Sequence, residues 1–331
     1  MSKGVIFSAM QPSGRFHLGN YMGALENWIR LQDEYDCIFS IADLHSLTSS
    51  YDDTSKLQDN IHQMAIDWLS AGLDPEKNII FVQSHVKEHA ELALLLGMNT
   101  PLSWLERVPT YKDKIVNLGS QGKDMHTYGF LGYPVLMTGD IILYKAGFVP
   151  VGEDQAPHLE LAREMVRRFH QLYNCQIFPE PQALYSKAKV LPGIDGRKMS
   201  KSYGNTIPFG ASPEELWERV RMMKTDPARI KKTAPGHPEV CIVYEFQKVF
   251  NEEEAPEIEM KCRAGEIGCM QCKKCLYQKM EALLSGIYAK RLELEKKPGY
   301  IKEVLEHGAK RAQVIAEKNM AEIKDAMNLS Y

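Results

Sequence analysis

Three short apolar runs mark the N-terminal part of the chain: GVIFSA at 4–9, DCIFSIADLH at 36–45 and NIIFVQSH at 78–85. Their brevity and their β-branched and aromatic content predict buried strands. Between the second and third, SKLQDNIHQMAIDWLSAGL spaces its apolar residues for one face of a helix, and a further amphipathic stretch runs from about His17 to Glu34. Strand alternating with helix predicts a parallel sheet in a doubly wound α/β domain. Past about Ser212 the pattern changes to helices alone. SPEELWERVRMM opens on Ser-Pro-Glu-Glu, a helix start, and the stretches MEALLSGIYAKRLELEKK and AQVIAEKNMAEIKDAM near the C-terminus continue the helical spacing. A boundary is expected near 205–212, with an α/β domain over 1–205 and an all-helical domain over 206–331.

Composition adds two constraints. The 331 residues are 44% hydrophobic and 25% charged, enough for two cores. No apolar run is long enough for a membrane span, and MSKGVIFSAM has no charged-then-apolar leader, so a cytoplasmic protein with no membrane partner is expected. Thiols stay reduced in that compartment, and an odd total of seven cysteines argues against complete pairing. Cys241, Cys262, Cys269 and Cys272 have 20, 6 and 2 residues between them, and Cys275 follows after two more. That density reads as a metal or redox site. Four thiolates suit an iron–sulfur cluster or tetrahedral zinc, and the even Cys269–Cys272–Cys275 spacing leaves Cys275 competing with Cys241 as a ligand. Cys37 and Cys175 sit within element patterns and read as packing residues.

The net charge of −3 hides a basic stretch, RVRMMKTDPARIKK at 219–232, with six basic residues against one acid. A nearly neutral chain can thus still present a positive face to a polyanion.

Two stretches carry candidate chemistry. PSGRFHLGN at 12–20 lies where the first strand leads into the first helix. Glycines in such a turn let backbone approach a ligand, and a helix N-terminus supplies positive potential for phosphate. His17 and Asn20 are candidate donors to phosphate oxygens, and Gly19 leaves room for a flat base. GRKMSKS at 196–202 is a glycine-led loop with Lys198 and Lys201 flanked by Ser200 and Ser202, a composition suited to closing over a polyphosphate.

Together, His17-Leu18-Gly19-Asn20 and Lys198-Met199-Ser200-Lys201-Ser202 resemble the HIGH and KMSKS signatures of class I aminoacyl-tRNA synthetases. Asn20 stands where that family usually has its second histidine, a departure typical of its tryptophanyl branch. VPVGEDQAPHLELARE at 149–164, ADLHSLT at 42–48 and LERVPTYKDK at 105–114 are also similar to tryptophanyl segments. The resemblance implies a Rossmann-like catalytic domain with a connective insert at about 86–130 and a lysine loop at 196–204, then a helical anticodon-binding domain. It implies an ATP site at Gln11, Ser13, His17, Gly19, Asn20, Gly152, Asp154, Gln155, Lys198, Met199, Ser200, Lys201 and Ser202. Lys198, Lys201, Lys112 and Lys114 would be the catalytic cations, acting with Mg²⁺ on the phosphates. The amino-acid pocket would comprise Phe7, His45, Tyr133, Met137, Asp140 and Gln155.

In GYPVLMTGDIILY at 132–144, Tyr133, Met137 and Asp140 stand at i, i+4 and i+7, on one helix face. Indole carries a single N–H that can only donate, so a buried carboxylate such as Asp140 fits it, and the thioether of Met137 suits the flat ring. In tyrosyl relatives a Gln usually stands in the place of Met137. The implied reaction is activation of tryptophan by ATP, then transfer to the 3′ end of tRNA(Trp). ARIKKTAPGHPEVC and CRAGEIGCMQC are further similar to bacterial tryptophanyl enzymes that carry a [4Fe–4S] cluster, with Cys241, Cys262, Cys269 and Cys272 as ligands by that resemblance and zinc as the alternative. Arg263, Lys273 and Lys274 would lie near the tRNA anticodon, and the insert would form a homodimer.

Overall fold

The computed structural model describes residues 3–109, 111–112, 115, 124–185 and 191–330. Its strands are β1 (Val5–Met10), β2 (Asp36–Ile41), β3 (Ile79–Val82), β4 (Phe148–Val151) and β5 (Gln182–Tyr185). The longer helices are α1 (Leu57–Ala71), α2 (Glu88–Gly97), α3 (Tyr128–Leu143), α4 (Ala156–Tyr173), α5 (Pro213–Met222), α6 (Ile242–Phe250), α7 (Ala255–Arg263), α8 (Cys269–Glu295) and α9 (Pro298–Ala326).

The chain divides into two compact units. The first comprises Met1–Gly14, Asn27–Ser186 and Lys297–Tyr331. It holds one parallel sheet in the order β3-β2-β1-β4-β5, so the chain winds outward from β1 to β3 and then crosses back to β4 and β5. This is the doubly wound arrangement expected from the alternating pattern. β1 is central because Val5–Met10 pair in register with Asp36–Ile41 on one side while Ile6 pairs with Phe148 on the other. Trp28, Phe39 and Trp68 pack together beside it, with Trp28 stacked on Phe39 at 4.7 Å between centroids. β4 and β5 escape a sequence reading, since FVPV carries Pro150 and QALY lacks the solid apolar run of β3.

The second unit comprises Arg15–Glu26 and Lys187–Lys296, with α5 to α8. This division differs from the single cut expected near 205–212 in two places. Its helical unit takes in an N-terminal segment and the lysine loop, and it gives up α9. The latter change has a plain cause in the first unit. A Cβ on Gly308 would lie 1.8 Å from the Ile80 carbonyl oxygen, so α9 lies with its backbone directly on β3. The amphipathic stretch from His17 also differs from a plain helix: Leu18–Asn20 are helical, Tyr21–Leu25 form a π-turn, and Glu26–Leu31 resume the α-helix. Such π-turns recur at functional sites.

Candidate active site

Within the second unit the glycine turn is fastened to the segment that directly follows the lysine loop. Leu18 N–H donates to the Ile207 carbonyl and Phe209 N–H to that of Phe16, both at 2.9 Å, and His17 and Pro208 form a bridge between them. Met199 is buried, and its Sδ would lie 3.4 Å from a Cβ on Gly19, a close approach that glycine permits. The turn is closed by a reciprocal cap: Asn20 N–H donates to His17 Nδ1 at 3.2 Å, and His17 N–H donates to Asn20 Oδ1 at 3.1 Å. Because Nδ1 accepts, the ring proton sits on Nε2, which makes His17 a neutral donor. Burial, helped by the charge of Lys201, pulls the His17 pKa down to about 4. Lys198 and Lys201 are exposed on the loop. Arg15 anchors the same turn through Glu215 on α5, at 3.2 Å.

The residues expected at the amino-acid pocket all belong to the first unit. Asp140, on α3, is only 2% exposed. Its Oδ1 lies 2.6 Å from His89 Nδ1 and accepts from Gln83 Nε2 at 2.8 Å; its Oδ2 lies 2.8 Å from His45 Nε2 and accepts from Gln83 again at 2.9 Å. Burial alone would raise the Asp140 pKa, but the charge of His89 and the hydrogen bonds from His45 and His89 hold it at about 2. His89 continues to the hydroxyl of Tyr144 at 2.8 Å, and Tyr144 stacks on Phe7 with ring planes 9° apart. The carboxylate expected to await an indole N–H thus already fills its acceptor positions, and an incoming donor must displace one. Sequence reasoning missed Gln83, His89 and Tyr144 because nothing in their local spacing marks them. Tyr133 lies 2.6 Å from His158 Nε2 through its hydroxyl, and Met137 is half-buried against the core, both on α3 with Asp140.

Among the other expected site residues, Gln155 donates to Asp154 at 2.8 Å, and a Cβ on Gly152 would lie 2.6 Å from Asp154 Oδ1. Gln11 accepts from Ser13 N–H through its carbonyl at 2.9 Å. Lys112 is exposed, Lys114 lies outside the described residues, and Ser202 is described by its backbone alone.

Cys241 caps the start of α6, Cys262 lies on α7, and Cys269, Cys272 and Cys275 lie on α8. Burial first, then the neighbouring thiols Cys241, Cys262 and Cys275, push the Cys272 pKa up to about 12, despite a hydrogen bond from Gln247 that lowers it. Arg229 Nη1 donates to Cys262 Sγ at 3.6 Å and Gln247 Nε2 to Cys272 Sγ at 3.5 Å. Cys275 instead faces Asn251 and Glu254. Among the described residues no three His, Cys, Asp or Glu side chains are placed to hold a single metal ion. Two of the expected phosphate contacts are otherwise engaged: Arg263 pairs with Glu239 at 3.0 Å and Glu259 at 2.8 Å, and buried Lys273 donates to the Arg221 carbonyl at 2.6 Å. Lys274 is exposed and lines a groove with Arg229, Lys231 and Lys232.

A five-stranded parallel sheet, a glycine turn after its central strand and a lysine loop zipped to that turn define the Rossmann-like nucleotide-binding architecture of the class I tRNA synthetases. Residues 2–285 match the family described as tRNA synthetases class I (W and Y), and the chain belongs to it. A tryptophan–tRNA ligase of Thermotoga maritima is 48% identical over 329 residues, covering 98% of this chain and 99% of that protein. One of Aquifex aeolicus is 43% identical over 393 residues, with the same coverage. The crystal structure of a Campylobacter jejuni tryptophanyl-tRNA synthetase complexed with ADP and tryptophan superimposes with a TM-score of 0.88 at 35% identity, covering 98% of this chain and 100% of that one. Among the described residues no helix is long and apolar enough to cross a membrane.

Proposed function

We propose that the chain is a cytoplasmic enzyme that activates L-tryptophan with ATP and passes the tryptophanyl group to the 3′ end of tRNA(Trp). The tryptophan carboxylate attacks the α-phosphorus in line, forming a carboxyl–phosphate bond as the bond to pyrophosphate breaks. The ribose hydroxyl at the tRNA 3′ end then attacks the acyl carbon, its proton lost and AMP leaving as the ester forms. No protein nucleophile is required. The chain's contribution is to hold the reactants and to aim donors and cations at phosphate charge: His17 through Nε2–H, Asn20, Lys198 and Lys201, with Lys112 and Lys114 toward pyrophosphate and Mg²⁺ travelling with ATP. Gln11, Ser13, Gly152, Asp154 and Gln155 complete the nucleotide side in this reading. What supports it is the backbone zipper joining the glycine turn to Ile207–Phe209, the segment that follows the lysine loop. Tryptophan-dependent ATP–pyrophosphate exchange tests it; dependence on tyrosine, or no exchange, overturns it.

For the amino acid, the indole N–H replaces one of the two Gln83 contacts on Asp140, since one amide nitrogen there serves both oxygens. Phe7, His45, Tyr133 and Met137 frame the ring. Exposed Leu94, Met98, Leu102 and Tyr128, in the insert, favour a second copy of the chain as a dimer partner.

Cys269 raises the pKa of Cys241 and, with Cys241, that of Cys262, while Cys241 and Cys262 raise that of Cys272; once deprotonated, these four cysteines from three segments have the donor chemistry of a [4Fe–4S] cluster. Cys275 also acts on Cys272, but its Sγ donates to Glu254. When bound, such a cluster would staple the α7–α8 loop near the tRNA-facing basic groove, and no step of the activation needs it. Iron and sulfide analysis with a visible band near about 400 nm tests this; colourless, zinc-containing protein overturns it.

A further inference from the structure

Asn205 follows the lysine loop directly and is 2% exposed. Its Oδ1 accepts from Ser200 N–H at 2.8 Å, while Nδ2 donates to Asp195 Oδ1 at 2.8 Å and to the Lys198 carbonyl at 3.1 Å. Its own carbonyl accepts from Ile194 N–H at 3.0 Å. One buried carboxamide therefore ties down both sides of Met199 and the start of the loop. Two residues on, Ile207 begins the pairing that fastens the loop to the His17 turn. The site is shaped around this side chain: a Cβ on Gly193 would lie 2.2 Å from Asn205 Nδ2. Asp195, which also receives Arg197, completes the frame.

We propose that Asn205 is a positioning residue for nucleotide activation, a buckle that fixes the backbone carrying Lys198 and Lys201 relative to the His17 turn. It touches no reactant; it acts through where the lysines stand. An amide is required because the position needs an acceptor for Ser200 N–H and two donors at once, which neither a carboxylate nor a hydroxyl supplies. The inference rests on the ATP-dependent reading above.

The test compares the full-length parent with Asn205→Ala, Asn205→Asp and Gly193→Ala in tryptophan-dependent ATP–pyrophosphate exchange, thermal unfolding and amide exchange at Ser200. A lysine misplaced by about an ångström costs on the order of a hundredfold in rate. Asn205→Ala and Gly193→Ala are each expected to lower kcat by about that factor, with KM for tryptophan within about twofold of the parent. Asn205→Asp leaves a carboxylate facing Asp195, so its activity relative to the parent should rise as pH falls and the protonated carboxyl regains a donor. A kcat within about threefold of the parent, or one that falls only in step with the folded fraction, overturns the proposal. A parent without exchange activity would defeat the functional reading instead. Asn205 is then judged on the Ser200 amide alone: exchange faster by about tenfold in Asn205→Ala and Gly193→Ala supports the buckle, and unchanged exchange rejects it.

Discussion

Replacing Asp140 by asparagine isolates what a buried charge does for the amino-acid pocket. The carboxylate takes four contacts from three donors, His89 at 2.6 Å, His45 at 2.8 Å and Gln83 at 2.8 and 2.9 Å. Asparagine offers one oxygen and an NH₂. Whichever way the amide turns, one side of Gln83 meets hydrogen against hydrogen, and either His89 or His45 must surrender its bond or change tautomer. Hydrogen bonds to a charged group are worth about 1.5–3 kcal/mol and neutral ones about 1, so two bonds lost or weakened amount to about 2–4 kcal/mol. If that loss falls on tryptophan binding, kcat/KM for tryptophan drops by about 30- to 1,000-fold. Exchange assays over a range of tryptophan concentrations, with thermal unfolding of the same samples, measure both. The KM for ATP should be unaffected. Tryptophan kinetics within about threefold of the parent, in a variant of unchanged stability, would refute the assignment of Asp140 as the buried acceptor.

Lys201→Ala should lower exchange kcat by about 2–4 kcal/mol of barrier, comparable to losing one oxyanion donor, while KM for tryptophan holds. Gly308→Ala should destabilise the sheet unit by about 1–3 kcal/mol, read from urea unfolding, because α9 must lift from the Ile80 carbonyl. The Asp140 pKa of about 2 lies below its ordinary 3.8, so its stabilisation is complete above about pH 4 and is lost as pH falls toward 2, a midpoint shift that Asp140→Asn should abolish. His17, with a pKa of about 4, stays neutral at ordinary pH, so the KM for ATP measured from pH 8 to 6 should show no inflection of its own. In cluster-loaded protein, Cys241→Ser should lose the visible band and Cys275→Ser should keep it, as absorption spectra will register.

Much of the chemistry was legible from local spacing. Apolar runs of strand length alternating with helical periodicity are short-range patterns, and they marked β1, β2, β3 and α1 correctly. The His17 and Lys198–Ser202 signatures, and the face shared by Tyr133, Met137 and Asp140, are likewise contiguous and readable. β4 and β5 were not, because FVPV is broken by a proline and QALY is only partly buried, so neither shows the solid apolar run of the equally short β3. Nor could the chain order reveal that α9 lies against β3, since that depends on a glycine meeting a carbonyl more than two hundred residues away. Asp140 was visible as an acceptor, but Gln83, His45 and His89, which fill its acceptor positions, come from separate elements. The residue types were set by sequence. Their partners were decided by tertiary packing, because a buried polar group must be satisfied by whatever the fold brings to it.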